Sequence, residues 1–251
     1  MDAAQTIRDC IADVTALRLH RTGDAALGAA VGSVKALQAQ RFRGTYADLL
    51  GSPAFGPAAR FFLEELYSAS DYTERDQQFG RIAGTLQTVF PESVVATAVA
   101  LAVLHAQTEG LDQAMGRAWL QLHQQQQGTQ TDDATRYAAT WRAVGQRSAR
   151  QQQLERVLAM GTDLARLTRT PGLRMMLRMM RSPAHAAGMG ALQKFLEAGF
   201  DTFGQLARQR GGVEQFLGVI EQREQALIDL LFDADNVTCG TQLAHTLGQA
   251  R

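Results

Sequence analysis

The stretch Pro91–Gln124, PESVVATAVALAVLHAQTEGLDQAMGRAWLQLHQ, decides the fold class. Val94, Leu101, Thr108, Met115 and Leu122 recur every seven residues, and Leu104, Leu111 and Ala118 fill the intervening positions of the same stripe. That is the period of one helix face, and nothing in the stretch alternates with the period of a strand. Its apolar-looking part, Val94 to Leu104, falls short of the ~20 residues that cross a bilayer and runs into His105, so it reads as a buried helix face. As one straight helix the whole stretch would be ~50 Å long, and Gly110 or Gly116 is expected to mark a bend.

Outward from this segment the same periodicity continues in both directions. It predicts helices over 2–20, 24–40, 46–51, 57–68, 74–89, 91–124, 132–168, 171–181, 183–209 and 213–233. The expected fold is all-α, an orthogonal or antiparallel bundle of about ten helices. Proline is tolerated in the first turn of a helix and costs ~3 kcal/mol inside one. All five prolines fall between periodic segments, and Phe90-Pro91, Thr170-Pro171 and Ser182-Pro183 read as helix starts. Thr45-Tyr46-Ala47-Asp48 and Thr73-Glu74-Arg75-Asp76 resemble capping boxes with a short acid. A single helical domain is expected over 1–237, with lobes 1–124 and 132–237 meeting at the polar turn 125–131 and a loosely docked tail over 238–251.

Composition excludes several classes. With 45% apolar and 20% charged residues, 25 bases against 25 acids and two cysteines, the chain is neither disordered nor a disulfide scaffold. A neutral chain offers no general basic surface, which argues against nucleic acid as a partner. Asp2 stands where a signal peptide would be basic, and Cys10 and Cys239 read as free thiols, so a cytoplasmic location is expected. No metal-ligand spacing, nucleophile elbow or phosphate loop is present, so no metal or cofactor is expected.

The most distinctive string is FFLEELY, residues 61–67. Phe62, Leu63 and Leu66 with Ala59 form one face, and Phe61 and Tyr67 widen it, so the helix should be nearly engulfed. Together with Arg41-Phe42, the run from Thr45 to Leu50 and Arg75-Asp76, the string resembles the proteobacterial family named for its FFLEELY motif. The resemblance extends through the His105 region and Arg181 to Phe203, and it carries over no activity and no site residue.

Glu64 and Glu65 are adjacent carboxylates on a helix with little room to face water, so at least one is expected to be partly buried and paired. Arg41, Arg43, Arg60, Arg75 and Arg81 are the cations at hand. His105 borders the apolar stripe beside Leu101, with Glu109 one turn on and placed to orient the ring. Gly188-Met189-Gly190 lies in a helical segment, as a tight contact, a kink or a pocket wall. Arg174, Met175, Met176, Arg178 and Met179 belong to a basic, Met-rich stretch over 166–181 suited to an acidic partner or an anionic membrane, or simply to a core with paired arginines.

The resulting expectation is a non-enzymatic binding module. Its apolar inter-helix pocket, for a small molecule or an acyl chain, is lined by Phe62, Glu64, Glu65, Tyr67, Leu101, His105 and Glu109. The alternative is an adaptor or peripheral membrane protein using 166–181. A third reading, an enzyme, would need Glu64, Glu65 and His105 to converge in one wet cleft.

Overall fold

A computed structural model describes residues 2–65, 70–125 and 132–250. Among them run thirteen helices and no strand: α1 (Ala3–Gly23), α2 (Ala25–Thr45), α3 (Ala47–Gly51), α4 (Gly56–Glu65), α5 (Thr73–Val89), α6 (Glu92–Gln125), α7 (Asp133–Val144), α8 (Arg147–Thr168), α9 (Leu173–Met179), α10 (Arg181–Ala186), α11 (Gly190–Arg208), α12 (Gly212–Asp233) and α13 (Asn236–Gly248). The all-α multi-helix bundle expected from periodicity is the fold. Four helix starts are local in origin: Asp2, Asp24, Asp132 and Asp235 each accept backbone N–H groups of the first turn, of α1, α2, α7 and α13 respectively.

α6 is the spine. It packs against α1, α2, α7 and α8, while α11 and α12 pack on α8, α4 on α11, and α13 on α2 and α7. The closest helix approaches depend on glycine. A Cβ on Gly116 would lie 2.3 Å from Val31 Cγ2, and one on Gly44 would lie 1.9 Å from the Thr246 carbonyl oxygen. The main core draws on the chain from end to end, with Val34, Phe42, Phe62, Met115, Phe203 and Phe216 buried together.

Several boundaries differ from expectation, each for a physical reason. The segment 132–168 is two helices, because Gly145 and Gln146 take left-handed backbone (φ 65° and 55°) and the Gly145 N–H caps the Trp141 carbonyl at 3.0 Å. The segment 183–209 is broken at Gly188 (φ 67°), so Gly188-Met189-Gly190 is a helix break; Pro183 sits inside the first turn of α10. α9 follows a left-handed Gly172, and no side chain from Thr170 caps it. Neither capping box forms: Tyr46 and Tyr72 precede α3 and α5 without capping bonds, Asp48 instead grips Arg223 at 2.7 and 2.8 Å, and Asp76 turns into the core.

The expected loose tail is instead α13, which buries Cys239 and Leu243. The turn expected around Gly128 lies outside the described residues. α6 passes unbroken through Gly110 and Gly116. It is also, among the described residues, the one helix long and apolar enough to cross a membrane, which the apolar segment alone did not suggest. Against that use, Glu109, Asp112 and Gln113 are buried on it, facing partners from α1 and α2.

Candidate functional site: a polar chamber beside an apolar cavity

Leu101, Leu104, His105, Thr108, Glu109 and Asp112 follow one another at helical spacing, so the inward face of α6 changes from apolar to polar along its length. Two cavities reflect that change. One, of about 100 Å³, is a polar chamber walled by this face together with side chains of α2, α5, α7 and α8. The other, of about 330 Å³, is walled by apolar side chains and glycine apart from Thr85, Thr97 and Gln193. Phe79, Leu101, Leu104, Val157, Leu192 and Phe195 line both, so the two share a wall.

Asp76 is the centre of the chamber's charge network. It is 2% exposed, accepts a hydrogen bond from Arg18, lies 2.8 Å from His105 Nε2, and has Arg75 Nε at 3.6 Å. Burial alone would raise its pKa, but His105, Arg18 and Arg75 together hold the carboxyl below its ordinary range. Arg75 also pairs with Glu65 at 2.8 Å, and its guanidinium lies over the rings of Tyr72 (4.0 Å) and Phe195 (4.6 Å). Because Phe195 faces both cavities, Arg75 stands at their junction.

One helical turn deeper, Glu109 is clamped between Lys35 and Arg21 Nη1, the latter at 2.8 Å. Burial pushes its pKa up, yet the two cations outweigh it and bring it down to about 2. Asp112, fully enclosed, behaves oppositely. Burial drives its pKa up, the neighbouring Glu109 adds to this, and Lys35 at 3.7 Å with the Gln38 amide at 3.0 Å compensates only in part. Beyond it, Glu224 accepts from Arg41 and, at 2.8 Å, from the Tyr46 hydroxyl. Tyr137 and Trp141 also line the chamber, with the Arg150 guanidinium 4.3 Å over the indole ring.

The site expected from sequence is assembled in part. Glu65, His105 and Glu109 line the polar chamber, Phe62 lines the apolar cavity, and Leu101 lines both. Glu64, the other half of the acidic pair, is exposed and lines neither cavity, because α4 buries only the side carrying Ala58, Ala59, Phe61 and Phe62. The helix is therefore not engulfed all round. Tyr67 lies outside the described residues. Glu109 does not orient His105; it is taken by Lys35 and Arg21, and Asp76 holds the ring instead.

Arg150, Tyr137 and Trp141 went unread in the sequence, Asp76 was read there only as a helix-cap acid, and Arg41 only as a partner for the motif's acids. A signal was there: Asp76, Phe79 and Ala83 stand at i, i+3 and i+7, so Asp76 continues a buried apolar stripe where a charge needs partners. Of the basic Met-rich stretch, Met175 and Met179 are 67% and 71% exposed, whereas Leu173 is buried and, with Leu177, lines the apolar cavity from its outer side. Met176 is half-buried and Arg174 pairs with Asp201 at 2.7 Å. No group of three or more His, Cys, Asp or Glu side chains able to hold a metal occurs among the described residues.

No curated protein and no solved structure matches the chain. Residues 17–238 match the family model described as a domain of unknown function, DUF8198, and the chain belongs to that family.

Proposed function

We propose that the protein is a non-enzymatic cytoplasmic binding module that takes up a small hydrophobic molecule, an acyl chain above all, in the cavity between α4, α5, α6, α8 and α11. The observation that carries this reading is the volume and chemistry of that cavity: about 330 Å³ with no charged residue in its wall. An apolar hole of about 150 Å³ already stays dry and binds benzene, and ligand pockets begin near about 300 Å³. Two of the three polar wall groups have their own partners: Thr97 donates to the Ser93 carbonyl and Gln193 to that of Leu177. A ligand there replaces missing van der Waals contacts without breaking hydrogen bonds.

The test uses diphenylhexatriene, a rod without a polar head that fluoresces only in apolar surroundings. The wild-type protein is expected to bind it. Ala98→Phe, which fills the cavity from α6, is expected to weaken binding roughly tenfold or more while leaving the unfolding temperature equal or higher. A wild-type protein that leaves the probe dark, or a filled variant that binds it as well, ends the reading.

A second reading has an observation of its own. Met175 and Met179 expose their thioethers on α9, a helix that covers the apolar cavity, so this face is suited to docking on an anionic bilayer while the ligand is exchanged. Sedimentation with phosphatidylglycerol vesicles tests it. The Arg174→Glu/Arg178→Glu double variant is expected to lose association, and equal sedimentation of variant and wild type removes the reading.

A further inference from the structure

A purely apolar ligand would leave the chamber next door unexplained. Tyr137 is 2% and Trp141 6% exposed, both line the chamber, and neither the hydroxyl nor the indole N–H completes a hydrogen bond among the described residues. The indole lies close enough to the Tyr137 hydroxyl to favour its ionised form, without the geometry of a formed bond. Burial outweighs that influence and the nearby Arg41 and Arg150, pushing the phenol's pKa up and keeping it a donor. Buried polar groups are nearly always paired, and a pair of unmet ones on the wall of a cavity marks the place where a ligand atom completes them.

What is missing is an acceptor. The chamber's carboxylates Glu65, Asp76, Glu109 and Glu224 are each held by a cation, and Asp112 accepts from Gln38. Lys35, Arg41, Arg75 and Arg150 also line the chamber, and Arg18 and Arg21 reach its carboxylates Asp76 and Glu109 from outside the lining. The raised pKa of Asp112 lowers the negative charge that competes with an anionic head group. Space then restricts the head group, because about 100 Å³ admits a carboxylate and leaves no room for a bulky phospholipid head.

We propose that the chamber is the carboxylate site of a long-chain fatty acid. The acyl chain lies in the adjoining apolar cavity, the chain crosses the shared wall near Phe79 and Phe195, and the Tyr137 O–H and Trp141 N–H donate to the carboxylate oxygens. The assignment rests on the acyl-binding reading above and adds the class of ligand to it. It also accounts for Arg75, Lys35 and Arg41 lying along the chamber: their field favours a carboxylate that has left water.

The experiment displaces diphenylhexatriene from the full chain with hexadecanoate or with hexadecan-1-ol, which has the same chain and no charge. The acid is expected to displace the probe at roughly tenfold lower concentration than the alcohol. In Tyr137→Phe, and separately in Trp141→Phe, the preference is expected to fall to within about twofold. Tyr137→Phe deletes an unpartnered hydroxyl with almost no change of shape, so its unfolding temperature is expected to equal or exceed the wild-type value. Equal displacement by acid and alcohol in the wild type, or a preference that survives in both variants, overturns the carboxylate site while probe binding keeps the cavity reading intact. A wild-type protein that binds neither probe nor acid overturns both.

Discussion

Asp76→Ala is expected to destabilise the protein by about 3–5 kcal/mol at neutral pH, the usual cost of leaving buried charges without their partner. Asp76 is the carboxylate on which Arg18 from α1, Arg75 from its own helix and His105 from α6 converge, and its side chain is 4% exposed. Removing it leaves the largely buried Arg18 and His105 side chains without the acceptor they share. Urea unfolding read by far-ultraviolet circular dichroism measures the loss. A change smaller than about 1 kcal/mol would mean that Arg18 and Arg75 are solvated after all.

The sign of the pH dependence follows from the direction of the shifts. Asp76 and Glu109 both have folded pKa values below their ordinary ones, and Glu109 falls to about 2. Their stabilisation is fully present above the unfolded carboxylate range, near pH ~4.5, and is lost as pH falls through the folded values. Asp112, shifted upward, contributes in the opposite sense and is penalised once the pH exceeds its unfolded value. The wild-type protein is therefore expected to lose stability steeply below about pH 4.5, and Asp76→Ala to show a shallower acid limb. Equal acid limbs would dismiss Asp76 as a contributor.

Phe62→Ala carries the second large effect, about 3–5 kcal/mol, which for a chain of this length lowers the unfolding temperature by roughly 10 °C. The Phe62 ring is 3% exposed and packs edge-on against Phe216 at 5.3 Å and beside Phe203 at 6.2 Å. It also lines the apolar cavity, so truncation enlarges an existing hole that has little to collapse into, and the cost belongs in the upper part of the range. Glu64→Ala, two residues on, is expected to stay within about 0.5 kcal/mol, since that side chain faces solvent. Differential scanning calorimetry on the two variants decides whether the aromatic half of FFLEELY or its acidic half holds the bundle together. Equal effects would contradict the packing described here.

Glu65 shows how far local reasoning reaches. Its partner, Arg75, was one of five arginines near it in the chain, and the two stand only ten positions apart in sequence. His105 shows where such reasoning stops. The carboxylate one helical turn away, Glu109, was the natural partner for an isolated helix, but α1 and α2 bring Arg21 and Lys35 against that glutamate and α5 brings Asp76 to the imidazole. Two charges near in sequence pair only if no better-placed partner reaches them first. The Thr73-to-Asp76 string shows the converse error: an acid read as a local cap is the most connected buried carboxylate of the chamber.

From the chain alone came what depends on neighbours a few residues away. The seven-residue recurrence through α6 forces a helix because only a helix puts those apolar groups on one side; the caps Asp24 and Asp132 are equally local, their carboxylates reaching the free N–H groups of the next turn, yet the capping strings read in the sequence were others. What required the tertiary structure is everything set by which faces meet. Lys35 finds Glu109 74 residues away, Arg41 finds Glu224 183 residues away, and the two cavities exist only where α4, α5, α6, α8 and α11 fail to close on one another. Helical periodicity reports that a side chain is inward. It cannot report what it meets there, since the energy of a buried charge or an empty volume belongs to the assembled neighbours and to no single segment.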